Sequence, residues 1–326
     1  MKRRINYRGA RRTANLAVTV ASTILTGLIG GPRPFYQVVT PLLSWIDQSE
    51  ITTLSPVRPF ASSDVFNAPI TANPAIDPNS SSWVTLLERD AASANLLNSL
   101  QWGIPVYQTT ASDPGYALSG SVYFTSQYFL AHVPRTAVAN TGTDQHLVVL
   151  GDGVETDFWG FSRSSNGTPQ AWSLWQNFCG PFSSSAQCPP NLGNAGGANA
   201  TRIALLAGLV RPSEISAGDI EHALAFTIPQ TAPGFRAPAQ ASDGRTPGGI
   251  PEGARIQLDP SYQIPASMPA WIATICRALQ RYGAILTDSG GTLALYAESP
   301  ATGRWPAGVG GSLASIPWSR MRVIAG

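Results

Sequence analysis

Charge is what this sequence has least of. Its 326 residues carry 21 basic and 19 acidic side chains, 12% of the chain, where an average soluble domain has about 25%. That scarcity excludes long solvated helices, coiled coils and acidic disorder. Lysine is nearly missing, with Lys2 the only one, so almost all positive charge is arginine. A net charge of +2 gives no reason to expect nucleic acid as a partner of the main body. Three cysteines and three histidines lie scattered without ligand spacing, which argues against a metal site. There is no glycine-rich phosphate loop, and no cofactor is expected. Abundant instead are Gly (31) and Pro (27), the residues of tight turns, and they point to short strands joined by many bends.

Lys2, Arg3, Arg4, Arg8, Arg11 and Arg12 precede an uncharged stretch, residues 16–31. A basic segment followed by an apolar one is the layout of an export signal, and this stretch is short for a spanning helix. No clean small-residue cleavage site follows, so an uncleaved anchor is the alternative. The competing reading is a basic arm of the coat-protein kind, to which a long apolar run would add nothing. The expected organisation is a signal or anchor over 1–31, an extended lead-in over 32–82 and a single domain over 83–326. Its location would be secreted or cell-envelope, with a membrane touched only through the N-terminal segment. Cys179 and Cys188 bracket a short Ser- and Pro-rich loop and are expected to form a disulfide. Cys276 recurs with Ile272, Ile275 and Leu279 at helical spacing and should be a buried, inert thiol.

Apolar periodicity predicts a helix over 83–100, another over 199–210, one helical turn over 213–217 closed by Gly218, and a helix over 270–282. Strands are expected at 106–109, 121–129, 145–150, 154–161, 171–175, 220–228 and 254–258, with a hairpin pairing 284–287 and 292–297. Strands at such spacing, interrupted by two or three helices, predict a mainly β fold, an antiparallel β-sandwich of jelly-roll type.

The hairpin around Asp152–Gly153 holds the sharpest constellation. Asp-Gly between β-rich runs predicts a two-residue turn, because both central positions need positive φ. Gly151 then faces Val154, Val148 faces Asp157 and His146 faces Trp159. Alternation places Asp144, His146, Val148, Glu155, Asp157 and Trp159 on one face, and Leu147, Val149 and Phe158 on the other. A three-residue loop would dissolve this grouping. Three carboxylates, an imidazole and an indole suit carbohydrate chemistry: sugar rings stack on indoles, and a carboxyl or imidazole moves the proton. His222 is a second candidate catalytic histidine, and Asp243 and Arg245 a turn able to grip an acidic sugar. Trp172 and Trp175 fall on opposite faces of their strand, so that one, Trp172 among the candidates, extends a binding groove.

The blocks 143–149, 158–160, 205–212, 218–224, 242–244, 250–255 and 281–284 resemble a family of exported bacterial proteins, common in soil and actinomycete genomes, that carry loose polysaccharide-related labels. The likeness covers about half the chain. It implies secretion and a shared site near Asp144, His146 and His222, and it supplies no reaction; this chain has Asp157 where the family pattern has Glu. The function expected is therefore a secreted protein acting on a polysaccharide or cell-envelope glycan. In a hydrolase Asp144 and Asp157 would share the acid and base or nucleophile roles. In a lyase His146 would abstract a proton beside a uronate carboxylate that Arg245 neutralises. A non-catalytic carbohydrate-binding sandwich stacking sugars on Trp159 is the alternative, and a viral coat-type structural protein a more distant one.

Overall fold

A computed structural model describes residues 60, 62–110, 112–120, 127–151, 154–177 and 197–326. The leader, the Asp152–Gly153 turn and the Cys179–Cys188 loop lie outside the described residues. Among these residues the fold is mainly β, with three α-helices, α1 (Ser80–Ser93), α2 (Pro212–Ala217) and α3 (Ala270–Arg281). The strands are β1 (Asn95–Asn98), β2 (Val106–Gln108), β3 (Gly115–Gly120), β4 (Gln127–His132), β5 (Leu147–Gly151), β6 (Val154–Trp159), β7 (Ser162–Arg163), β8 (Pro169–Gln170) and β9 (Ser173–Asn177). They continue with β10 (Leu224–Ile228), β11 (Thr231–Phe235), β12 (Ile250–Glu252), β13 (Arg255–Leu258), β14 (Ala284–Ser289), β15 (Leu293–Tyr296), β16 (Gly311–Ser312) and β17 (Met321–Ile324).

The largest sheet has seven strands in the order β16-β1-β15-β10-β14-β13-β17, and a second has four, β2-β5-β6-β9. Pairing is mixed, which corrects the wholly antiparallel expectation: β1 with β15, β10 with β14 and β2 with β5 run parallel. Parallel neighbours need long connections, and the chain between β10 and β14 supplies one that includes α3. The hairpin expected from 284–287 and 292–297 does not form, because β10 lies between β14 and β15 and bonds to both. The first helix stops at Ser93, where Asn95–Asn98 leaves to pair with Leu293–Tyr296. Leu97, which falls within the helix expected over 83–100, instead enters the core from a strand.

The core divides into layers. One face of the seven-stranded sheet sends Leu224, Phe226, Ala284 and Leu286 against α1 and α3. Ile285, from the other face, meets Val148, Leu150 and the 203–209 segment in a second cluster. The far side of the four-stranded sheet packs Leu147, Val149, Phe158 and Leu174 into a third. Cys276 is buried in the first cluster, and burial pushes its thiol up to about 12, as expected of an inert core cysteine.

The helix expected over 199–210 is absent. The segment runs as turns, and its amides find partners elsewhere: Leu205 donates to Asp157 Oδ2 at 2.7 Å and Leu206 to Glu155 Oε1 at 2.9 Å. Two buried acceptors waiting on the sheet outcompete local helical bonds. Gly208 closes the segment with φ 76°, and its carbonyl accepts from Ala225 N. A Cβ there would lie 2.4 Å from Ala225 N and 2.7 Å from Leu224 C. Gly208→Ala is therefore expected to destabilise by more than about 1 kcal/mol, since both conformation and space oppose it; an unchanged denaturant midpoint would contradict this.

Candidate functional site

The expected register of the central hairpin is found. Gly151 pairs with Val154, Val148 with Asp157 and Leu147 with Phe158. Beyond the ladder the strands stay joined, with Gly160 N donating to Asp144 O and Phe161 N to Gln145 O. Gln145 takes a positive φ of 46° between Asp144 and His146, which both line one cavity. The shared face, however, does not open to water along its length. Glu155 and Asp157 are fully buried beneath the 203–209 segment. Burial, then the neighbouring Glu155 carboxylate, hold Asp157 well above the ordinary carboxylate range. These two acids accept from backbone amides and do not line the cavity at the end of the shared face.

Among the described residues, the end of that face opens into a cavity of about 600 Å³. One wall is Asp144, His146, Trp159 and Trp175 from the four-stranded sheet. The others are the 198–202 segment, the 241–245 loop with Asp243 and Arg245, and Asp288–Ser289 at the end of β14. The Trp159 indole N–H points to Asp144 Oδ1 at 3.4 Å, and Arg202 lies 5.9 Å over the Trp175 ring. Trp172 is half exposed and packs edge-on against Trp159, with ring centroids 5.4 Å apart. It buttresses the platform from outside the cavity lining.

His146 is 4% exposed, and its Nε2 lies 3.1 Å from Ala198 O. A carbonyl partner requires the proton on Nε2, leaving Nδ1 as the basic nitrogen. Burial lowers the imidazole pKa, against the opposing pull of Asp144 and the Ala198 carbonyl, so the ring is neutral near pH 7.

His222 is not at this site. It is buried between Glu214 Oε1, 2.8 Å from Nε2, and Ala223 O, 2.8 Å from Nδ1. The Arg211–Glu298 pair completes that network away from the cavity lining.

Two residues of the site, Glu252 and Asp288, carry no local sequence signal, whereas Asp243 was expected there. Asp243, Glu252 and Asp288 bring one carboxylate oxygen each to within 4.8 Å of one another. Their proximity follows from the sheet: Gly253 N donates to Leu286 O and Leu286 N to Ala254 O, stitching the end of β12 to β14, while Asp243 N donates to Glu252 Oε2. Burial and the charge of Asp243 push Glu252 up to about 7. Burial, then the charges of Asp243, Glu252 and Asp144, push Asp288 up to about 8, although the Tyr296 hydroxyl donates to its Oδ2 at 2.9 Å. Comparison of the chain with protein-family models, with curated proteins and with solved structures finds no match.

Proposed function

We propose that this is an exported protein acting on an acidic polysaccharide, and that it cleaves the chain by β-elimination at the cavity. The observation that carries the reading is the convergence of a neutral His146, the Trp159 and Trp175 indoles and two guanidiniums, Arg202 and Arg245, on one opening. The indoles offer a face to a sugar ring. The guanidiniums suit a uronate carboxylate, whose neutralisation acidifies the adjacent C–H. His146 Nδ1 takes that proton, the electron pair forms the C4=C5 double bond, and the C4–O bond breaks. The leaving oxygen takes a proton from water at the open side.

The hydrolytic version is less well supported, because Asp157, the expected partner of Asp144, is sealed under backbone amides. The scaffold that goes with this reading is a sandwich of the four- and seven-stranded sheets about the layer containing Val148, Leu209 and Ile285. Export rests on the basic-then-apolar order of the first thirty residues and on the resemblance to exported proteins.

Purified protein incubated with a panel of uronate-containing polysaccharides should generate unsaturated ends, followed by their ultraviolet absorbance. His146→Ala should reduce the rate at least about 100-fold, and Trp159→Ala should weaken binding about tenfold. Absence of unsaturated product from every acidic polymer, or product formation indifferent to His146→Ala, would reject the reaction. One observation favours a second reading, a binding module without chemistry: only 4% of His146 is accessible. Binding that survives His146→Ala and fails in Trp159→Ala, without product, would select it.

A further inference from the structure

We infer that Asp243, Glu252 and Asp288 form a binding site for a hard divalent cation of the calcium class in the wall of the cavity. Three separate segments supply the ligands: the 241–245 loop, the end of β12 and the end of β14. No arginine, lysine or histidine forms an ion pair with any of the three among the described residues. Like charges this close oppose one another unless a proton or a cation intervenes.

A second observation points to a ligand. Glu252 is completely inaccessible, and its Oε1 meets no hydrogen-bond donor, although its Oε2 accepts from Asp243 N at 3.2 Å. A buried carboxylate oxygen without a partner is costly, and native folds normally satisfy it. Here that oxygen belongs to a carboxyl held against two others, so a cation would satisfy it and the crowding together.

The chemistry selects the ion. All donors are carboxylate oxygens, which exclude soft metals and favour Ca²⁺, Mg²⁺ or Mn²⁺. Oxygens spread over no more than 4.8 Å fit within a calcium shell, whose diameter is about 4.6–5.2 Å. Three carboxylates displace more water than Mg²⁺ readily gives up. Exposure grades across the site, with Glu252 sealed, Asp288 partly open and Asp243 exposed, so one side of the ion would remain open to the cavity for water or a ligand oxygen. The site stands on these three residues and not on the glycan reading.

The test is calorimetric titration of the whole chain, stripped with a chelator, with calcium chloride alone at constant ionic strength, accompanied by thermal unfolding. One saturable site with a Kd below about 1 mM is expected, with a rise in Tm of about 3 °C or more at excess calcium. Magnesium should give a smaller shift. Glu252→Gln and Asp288→Asn should each weaken binding at least tenfold. Asp243→Asn, on the exposed side and so harmless to folding, should do the same, while Trp159→Ala should bind calcium normally. Failure of calcium to bind or to raise Tm at about 10 mM, or binding unaltered in Asp243→Asn, would overturn the site. Equal shifts with magnesium would overturn the assignment to calcium.

Discussion

Replacing Arg211 with alanine should cost about 3–5 kcal/mol of stability, because it strands a buried carboxylate. Arg211 and Glu298 are only 2% and 3% exposed, with Nε 3.3 Å from Oε2. Thr302 donates to the other oxygen at 3.0 Å and in turn accepts from Val106 N. The Arg211 backbone N–H donates to Glu214 Oε2, and Glu214 Oε1 holds His222. Without the guanidinium, two carboxylates remain in one dry pocket. Burial already raises the Glu298 pKa despite Arg211, so in the variant Glu298 should take up a proton and the deficit should shrink as pH falls toward about 4.5. Replacing both members, Arg211→Met with Glu298→Gln, should recover much of the loss. Denaturant unfolding across pH checks all three statements, and a single-variant loss under about 1 kcal/mol would remove the network from the account of stability.

The same network explains why His222 belongs to the fold. Burial disfavours its imidazolium, but the Glu214 charge and hydrogen bond, with the Ala223 carbonyl, outweigh that and raise its pKa. A raised value means the contribution is complete below about pH 6.5 and is lost as pH rises through the folded-state pKa. That is the behaviour of a structural ion pair. A general base for catalysis near neutrality would be held neutral, as His146 is.

Much of this fold was legible locally. The register of β5 with β6 followed from two turn residues and alternating side chains, and α2 with its Gly218 stop and α3 followed from caps and periodicity. The same rules placed Asp144, His146 and Trp159 together. What they could not supply was the identity of the partner across each face. Leu97, read as part of a helix face, became strand because Leu295 offered it a ladder. Glu155 and Asp157 share a face with His146 as expected, yet a segment 48 to 51 residues later covers them and leaves His146 at the rim. Asp288 lies just beyond the strand expected over 284–287, where nothing in the sequence marks it. It became a site residue only because parallel pairing with β10 carries β14 to the cavity end of the sheet, where the link from Gly253 to Leu286 delivers Glu252. Long-range parallel pairing leaves no spacing in the sequence, so Glu252 and Asp288 were invisible there while Asp243 and the hairpin were not.

The buried acids under the 203–209 segment give the other large effect, and it separates two roles for one residue. If Asp157 were catalytic, Asp157→Asn would abolish activity and leave stability alone. As an acceptor for Leu205 N, it should behave otherwise. Removing both acceptors, Glu155→Ala with Asp157→Ala, leaves two buried amides unsatisfied and a void between the layers, a loss of about 3–5 kcal/mol. Asp157→Asn keeps an acceptor oxygen and should stay within about 1 kcal/mol of the parent, with the proposed turnover retained. The pH response carries the sign. Asp157 is raised well above its ordinary value by burial and by Glu155, so its contribution is complete below about pH 3.9 and diminishes as pH rises toward the folded-state pKa. Asp157→Asn has no such proton to lose, and it should gain on the parent as the solution is made more alkaline. Denaturant midpoints at several pH values for the parent, the asparagine variant and the double alanine variant measure this directly. An asparagine variant as unstable as the double alanine one would show that the charge, and not the acceptor, holds the segment down.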